Sequence, residues 1–263
     1  MKKLIKKYID SFLGKFQYIL LKKGEYLALL DKSKFAIMPG LLEKFVNSNN
    51  MNQILLNITN SKAQLFQDIV CLEINNFKTN GYFVEFGATN GLMGSNTHLL
   101  EKSFNWNGIL CEPGINWHKE LYLNRNCHID KSCVYFNSNS TITFFESVHP
   151  ELSTIEDFKN SDQHSKSRFL MKKYNVNTIT LEDLLIKYNA PQNIDYLSVD
   201  TEGSEFDILN AFDFSKYKFN FISVEHNFQK NKRDQIYNLL VKNNYKRIYS
   251  DISECDDWYT PEF

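Results

Sequence analysis

Short apolar runs alternate with stretches of helical spacing from residue 81 onward. Strands that alternate with helices in this way form a mostly parallel sheet with helices on both faces. The predicted strands are 82–86, 108–112, 128–134, 195–200, 219–225 and 245–249. The predicted helices among them are 95–103, 114–125, 204–210 and 232–243. The pattern therefore predicts an α/β fold with a doubly wound, mostly parallel sheet.

The chain before residue 81 has the period of helices instead. Apolar residues recur at helical spacing between lysines, at Ile5, Ile9, Phe12, Phe16 and Ile19. We expect a helical N-terminal extension over 1–60 that Pro39-Gly40 interrupts. The main domain then covers 61–263 and begins with a helix over 63–77. The basic first helix could lie on a membrane surface, pack on its own domain or form a dimer arm. Packing or dimerisation is favoured, which makes a homo-oligomer through the N-terminal helices an expectation.

The region between the third strand and the next helix is less regular. Residues 135–136 and 141–145 flank Asn-Ser-Asn-Ser and predict a β-hairpin. Residues 147–177 are polar without a clear period, so we expect a long loop that serves as a lid or binding loop. Thr180, three residues before Asp183, predicts the start of a helix.

Composition narrows the class of protein. The chain has 263 residues, 43% of them hydrophobic, which is enough to bury a full core. Its formal net charge of −1 shows no nucleic-acid footprint, so no nucleic-acid partner is expected. Asp10 and Lys15 interrupt the first apolar residues, so we expect no signal peptide. The apolar run from Phe16 to Leu21 is too short to span a bilayer, so we expect no transmembrane segment. The five cysteines lack C-x-x-C spacing, which indicates reduced thiols in a cytoplasmic protein.

An acid stands near the end of the first predicted strand. Glu85 precedes a turn with glycines at 87 and 91, at the end of a strand where open α/β sheets bind their ligands. A dinucleotide site would need a second glycine at the position of Thr89. A ligand without phosphates fits better, and S-adenosylmethionine (SAM) is one, because carboxylates suit its amino group and its ribose.

Glu112 ends the second predicted strand in the same way. It lies one strand–helix–strand unit after Glu85. A carboxylate at this strand tip can accept hydrogen bonds from both ribose hydroxyls, since it offers two acceptor oxygens. The two acids together indicate a nucleoside-binding edge.

A second group of ionisable residues follows the next two strands. Asp200 and Glu202 come after strand 195–200, and Glu225 and His226 come at the end of strand 219–225. An acid at one strand end is often a helix cap. Four ionisable groups at neighbouring strand ends instead predict a functional cluster on the rim of the sheet.

The motifs as a set resemble the FkbM-type SAM-dependent methyltransferases, over about residues 61–250. The segments that carry the resemblance are F-V-E-F-G-A-x-x-G (83–91), S-N-T (95–97), C-E-P (111–113), D-T-E-G-S-E (200–205) and E-H-N (225–227). The resemblance implies a class I, Rossmann-like methyltransferase fold and O-methylation of a sugar hydroxyl, on a nucleotide-activated sugar or a surface-glycan precursor. It assigns SAM to Glu85, Gly87, Ala88, Gly91, Asn96, Glu112, Pro113 and Ser132. It assigns the acceptor to Asp200, Glu202, Glu225, His226 and Asn227.

Two routes to the methylated product stay open at the level of sequence. His226 could act as general base, because its unperturbed pKa is near 6.5. Alternatively, Asp200, Glu225 and His226 could hold a divalent cation, Mg²⁺ or Mn²⁺, that lowers the pKa of the hydroxyl. Metal assistance is slightly favoured, with Asp200, Glu202 and His226 as the catalytic residues. The rival classes are a dinucleotide oxidoreductase and a non-catalytic carbohydrate-binding module on the same fold.

Overall fold

The structure is a computed structural model that describes residues 25–158 and 169–262. The helices are α1 (Glu25–Lys44), α2 (Met51–Asn57), α3 (Gln67–Ile74), α4 (His98–Phe104), α5 (Ile115–Asn124), α6 (Leu181–Lys187), α7 (Glu205–Asn210) and α8 (Lys230–Lys242). The strands are β1 (Tyr82–Phe86), β2 (Asn107–Cys111), β3 (His128–Asp130), β4 (Cys133–Val134), β5 (Thr141–Ser147), β6 (Thr154–Ile155), β7 (Leu170–Ile179), β8 (Asn193–Val199), β9 (Lys218–Glu225), β10 (Tyr245–Ile248) and β11 (Asp256–Pro261).

Seven strands form the main sheet, in the order β10-β11-β9-β8-β1-β2-β3. All of its pairings are parallel except those of β11, which is antiparallel to both of its neighbours. The order confirms the doubly wound, Rossmann-like class I methyltransferase fold that the sequence predicts. The chain proceeds outward from β1 to β3 and then returns to β8 on the other side of β1. Ligands of open α/β sheets bind at such a reversal point, beyond the carboxyl ends of the strands.

Each face of the sheet has its own hydrophobic core. Phe83 and Val84 are consecutive, fully buried residues of β1 that pack in different cores, because side chains alternate along a strand. The core on the side of Phe83 takes residues from α1 to α5, among them Leu41, Ile54, Ile69, Leu100 and Leu121. The core on the side of Val84 takes residues from α6 to α8, among them Leu184, Ile208 and Ile236.

A second sheet occupies the region where the sequence predicts a hairpin and a long loop. Its order is β4-β7-β5-β6, and β5 pairs with β7 and β6. The predicted hairpin is therefore wrong, because β5 pairs along its whole length with a strand that begins at residue 170. The predicted loop over 147–177 is also wrong, since it contains β6, most of β7 and two 3₁₀ turns. Residues 159–168 of that segment lie outside the described residues.

The predicted third strand, 128–134, divides between the two sheets. β3 ends at Asp130, whose Oδ1 atom accepts a hydrogen bond of 2.8 Å from the amide of Ser132. This local turn ends the pairing with β2, and β4 continues as a partner of β7.

The N-terminal region departs from prediction at one point. Helix α1 continues through Pro39 and Gly40, although these residues were expected to interrupt it. Ile37, Met38 and Leu41 are buried in the core on the side of Phe83. Their packing compensates for the backbone hydrogen bond that Pro39 cannot donate. The predicted helix of residues 5–19 lies outside the described residues, and the division at residue 60 stays a prediction. No helix within the described ranges is long and apolar enough to cross a membrane.

Candidate functional site

Glu85 is buried at the tip of β1 and is enclosed by the loop that follows it. Its Oε1 atom accepts the amide of Asn96 at 2.7 Å, and its Oε2 atom accepts the hydroxyls of Ser95 and Thr97. The carboxylate therefore fixes the loop over residues 95–97 against the strand. The S-N-T segment of the sequence motif is explained by these contacts, since two of its three side chains and one amide bind a single carboxylate.

Arg125 completes this network, and sequence reasoning did not identify it. Its guanidinium is fully buried and donates to Ser95, Thr97 and the carbonyl oxygen of Gly91 at 2.8–3.2 Å. It pairs with Glu101 at 2.6 Å and lies 3.6 Å from the Glu85 carboxylate. Burial alone would raise the pKa of Glu101, but Arg125 and further donors lower it to about 2. An arginine at the C-terminal end of a helix carries no signal of this role.

Glu112 lies at the tip of β2, one strand from Glu85. Each of its oxygens accepts one amide, from Thr89 at 2.8 Å and from Gly114 at 2.7 Å. Burial raises the pKa of this carboxyl to about 7, although the two amides oppose the shift. Because each oxygen keeps a further lone pair, the carboxylate can accept hydrogen bonds from two hydroxyls as the sequence predicts.

The remaining residues assigned to SAM surround these two acids. Gly87 and Gly91 adopt positive φ angles of 69° and 73° in the turn after β1. Ala88 is buried in the same turn, and Pro113 directly follows Glu112. Ser132 lies beyond β3 and donates its amide to Asp130. The structure thus brings these residues to one edge of the sheet.

Asn96 has one atom that the fold leaves without a partner. Its amide nitrogen Nδ2 donates to Ser198 at 2.9 Å, which ties the loop to β8. Its Oδ1 atom is buried and accepts no hydrogen bond from any described residue. A buried acceptor without a donor is unfavourable by about 1–3 kcal/mol. An ammonium or hydroxyl group of a ligand would satisfy it, so this position fits SAM.

Three carboxylates converge beyond β8 and β9. One oxygen each from Asp200, Glu202 and Glu225 lies within 4.8 Å of the others. Burial raises the pKa of both Asp200 and Glu225 well above the ordinary value, and the negative charges of neighbouring acids raise it further. An arrangement of hard oxygen ligands that repel one another is suited to Mg²⁺, Mn²⁺ or Ca²⁺.

The turn that presents Glu202 is closely held. Glu202 has a left-handed backbone with φ of 57°, and its carbonyl oxygen accepts the Thr154 hydroxyl at 2.8 Å. The fully buried Glu205 accepts the amides of Thr201 and Gly203 and pairs with Lys232 at 2.9 Å. Glu205 therefore shapes the turn and is neutralised by the Lys232 side chain. Glu202 belongs to the cluster of three carboxylates that it forms with Asp200 and Glu225.

His226 is buried beside the cluster but is not part of it. Its Nδ1 atom accepts the amide of Phe228 at 3.1 Å, and its Nε2 atom lies 3.9 Å from the carboxylate of Asp257. Burial lowers the pKa of the ring, which favours the neutral form. The group of acids that can share a cation, within the described residues, is Asp200, Glu202 and Glu225 without His226. The structure thus brings together two of the three predicted metal ligands and adds Glu202 to them.

The small sheet contacts both parts of the site. On the side of Glu112, the hydroxyl of Tyr174 accepts the amide of Ile115 at 3.0 Å and donates to the buried Glu146 at 3.2 Å. On the side of the acid cluster, Thr154 binds the carbonyl oxygen of Glu202. Sequence reasoning missed Thr154 and Tyr174 because it assigned residues 147–177 to a loop.

Comparison with known proteins identifies the family. A model of the family described as "Methyltransferase FkbM domain" matches residues 85–256, about two thirds of the chain. This range contains every residue discussed above as a candidate for SAM or acceptor. No curated protein sequence matches the chain.

Two solved structures are similar in shape at low sequence identity. One is "Methyltransferase FkbM from Methylobacillus flagellatus KT", with 12% identity, a TM-score of 0.42, and coverage of 83% of this chain and 60% of that chain. The other is "Precorrin-6y C5,15-methyltransferase FROM Geobacter metallireducens GS-15", with 10% identity, a TM-score of 0.37, and coverage of 69% and 71% respectively. The family assignment rests on the domain match.

Proposed function

Because the chain belongs to the FkbM methyltransferase family, whose methyl donor is SAM, we propose that it transfers the methyl group to a hydroxyl of a sugar. The acceptor we propose is a nucleotide-activated sugar or a precursor of a surface glycan. The observation that carries the proposal is the convergence of Asp200, Glu202 and Glu225 at the same edge of the sheet as Glu112. Acids at this edge of the sheet support a polar acceptor that carries hydroxyl groups.

The donor half of the proposal uses the residues of β1 and β2. Glu112 accepts hydrogen bonds from the two ribose hydroxyls, and the orphaned oxygen of Asn96 accepts from a polar hydrogen of SAM. Glu85 acts through the loop, since its oxygens already bind Asn96, Ser95 and Thr97. It therefore orders the loop over residues 95–97, which we call the donor loop, and does not bind SAM with a free carboxylate.

The acceptor half uses the three carboxylates. Asp200, Glu202 and Glu225 would hold a divalent cation, Mg²⁺ or Mn²⁺, and that cation would lower the pKa of the acceptor hydroxyl. The carboxylates orient that hydroxyl toward the donor methyl group. Holding the two reacting groups in the right geometry removes a large part of the activation barrier of such a displacement. The hydroxyl oxygen forms a bond to the methyl carbon as the carbon–sulfur bond breaks. S-adenosylhomocysteine leaves with that electron pair, and the hydroxyl proton passes to a carboxylate oxygen.

The choice of a sugar rests on the motif resemblance together with the polarity of the cluster. A nucleic-acid acceptor would need a basic surface to hold its phosphates, whereas this site presents acids. We place the reaction in the cytoplasm, which agrees with five cysteines that are all free thiols.

The test is a methylation assay with purified protein. SAM is supplied with Mg²⁺ or Mn²⁺ and a panel of nucleotide-linked sugars, free glycans and catechols, and mass spectrometry follows the gain of one methyl group. NMR of the product locates the methyl group on oxygen, nitrogen or carbon. A preference for catechol over every sugar, or a product methylated on carbon, overturns the sugar O-methylation. Full turnover in excess chelator overturns the proposed role of the metal ion.

A further inference from the structure

The turn at the end of β9, residues 226–228, is fixed by hydrogen bonds at each residue. The amides of His226 and Asn227 both donate to the carbonyl oxygen of Cys255, at 2.8 and 3.2 Å. The side chain of Asn227 donates to the Glu225 carboxylate at 2.7 Å, which holds one member of the acid cluster in place. The turn therefore has a fixed position relative to that cluster.

Phe228 is the residue of this turn that points away from the core. Its side chain is 58% exposed, and its backbone is left-handed with φ of 57°. A left-handed backbone is unfavourable for a residue that has a Cβ atom. The amide of Phe228 is held by Nδ1 of His226, and the two rings pack edge to face with centroids 6.2 Å apart. The fold thus fixes an exposed aromatic ring three residues from Glu225 in a conformation that is unfavourable by itself.

An ion network around the buried Asp257 lies on the other side of His226. The Nε2 atom of His226 lies 3.9 Å from Asp257, which Arg233 contacts through two hydrogen bonds of 2.7 and 2.9 Å. Arg247 donates to the same carboxylate at 3.1 Å. Because Nδ1 accepts the Phe228 amide, the proton of the neutral ring lies on Nε2 and faces Asp257. Neither nitrogen offers a free lone pair to an acceptor hydroxyl.

We propose that Phe228 contacts the acceptor, and that His226 is the positioning residue that holds it. The inference rests on the proposed function, because it specifies how the sugar is recognised beside the acid cluster. A sugar ring has a face of C–H bonds with partial positive charge, and the face of an aromatic ring is negative. The hydroxyls of the same sugar then point to the carboxylates of Asp200, Glu202 and Glu225. Phe228 thereby selects a cyclic acceptor with an apolar face over a flexible polyol.

The first arm of the test changes Phe228 and compares it with another exposed phenylalanine, Phe136. The wild-type protein is first assayed with the best nucleotide-linked sugar of the panel. Methylation in this reaction tests the proposed function, independently of the variants. Phe228→Ala and Phe228→Leu should raise the sugar KM about tenfold or more, with unchanged SAM Kd. Phe228→Tyr keeps the ring and should stay within about threefold of wild type. Phe136→Ala, which removes a ring 48% exposed, should leave the sugar KM unchanged.

The second arm separates a positioning role of His226 from a role as general base. His226→Asn places an amide oxygen where Nδ1 accepts the Phe228 amide, and His226→Ala does not. We expect Asn to retain most of kcat and Ala to raise the sugar KM as Phe228→Ala does. Thermal unfolding of each variant identifies loss of fold, and the exposed Phe228 variants test the proposal even where His226→Ala does not fold.

Two results would overturn the inference while leaving the proposed function intact. One is a wild-type sugar KM in Phe228→Ala, with methylation of the sugar by the wild-type protein. The other is an equal, large loss of kcat in both His226 variants, which a general base predicts. A wild-type protein that binds SAM and methylates no sugar overturns the proposed function, and the Phe228 inference with it.

Discussion

The α-carbon of Gly87 lies against the backbone of Asp200. A Cβ atom added to Gly87 would lie 2.0 Å from the carbonyl oxygen of Asp200, well inside van der Waals contact. Gly87 follows β1 on the donor side, and Asp200 follows β8 on the side of the acid cluster, and these two strands are paired. The absence of a side chain at one position therefore sets how closely the two parts of the site approach.

Gly87→Ala should destabilise the protein and weaken SAM binding. Gly94 provides a matched control, because it has the same φ of 69° and an added Cβ would meet nothing within 4 Å. Gly94→Ala should cost only the left-handed backbone strain, about 1–2 kcal/mol. Gly87→Ala should exceed that by about 2 kcal/mol or more, because the backbone of Asp200 must also move. Denaturant unfolding of both variants measures the difference, and equal losses would refute the close contact.

Much of the main sheet could be predicted from sequence because its strands are short apolar runs. β1, β2, β8, β9 and β10 each agree with prediction to within two residues at either end. The acids at the strand ends could be placed for the same reason, since the carboxyl ends of parallel strands meet at one edge. Thr180 caps α6 as predicted, by accepting the amide of Asp183 at 3.1 Å.

Other parts were not predicted because long-range partners decide them. β11 begins with Asp256 and Asp257, which are unfavourable in strands, and both are buried only because Gln67, Arg233 and Arg247 bind them. β7 did offer a signal that was missed. Tyr174, Val176 and Thr178 alternate with polar residues along it, at the period of a strand.

SAM affinity should depend on pH through Glu112. Its pKa is raised to about 7, so the carboxyl is mostly protonated at pH 6 and mostly ionised at pH 8. The ionised form accepts hydrogen bonds with both oxygens, so SAM Kd should rise about tenfold from pH 8 to pH 6. Calorimetric titration of SAM at both values measures this. Glu112→Gln should bind SAM about 2–3 kcal/mol more weakly and with a flatter pH profile. A Glu112→Gln profile as steep as that of the wild type would assign the titration to another group.

Arg125 should be important for stability as well as for the donor loop. Removing a buried partner of two carboxylates leaves their charges uncompensated, so Arg125→Met should cost about 3–5 kcal/mol. Arg125→Lys should recover only part of this, because a lysine cannot reproduce the planar set of donors. Lys102, whose side chain is 34% exposed and also pairs with Glu101, is the matched control. Lys102→Met should change the free energy of unfolding by less than about 1 kcal/mol. Similar losses in Arg125→Met and Lys102→Met would contradict the assigned role of Arg125.

The acid cluster should make the metal-free protein less stable as the pH rises. The pKa values of Asp200 and Glu225 are raised in the folded protein, chiefly by burial and then by the charges of neighbouring acids. The folded state therefore keeps protons that the unfolded state releases, and stability falls as the pH rises above the ordinary carboxyl pKa. Thermal unfolding in chelator should show a Tm that falls from about pH 5.5 to about pH 8.5. This range lies above the pKa values that Asp and Glu have in the unfolded chain.

A bound cation should reverse this loss, because it neutralises the charges that repel one another. At a concentration of Mg²⁺ or Mn²⁺ about 100 times its Kd, the folded state should gain about 2.7 kcal/mol. Glu225→Gln removes one charge and one ligand, so its Tm at high pH should exceed that of the wild type in chelator and should not respond to the metal. Glu43→Gln, at an exposed position of α1, should behave as the wild type does. If the wild-type Tm falls as the pH rises but does not change when either cation is added, the cluster does not bind a metal ion. Its carboxylates would then bind the acceptor directly.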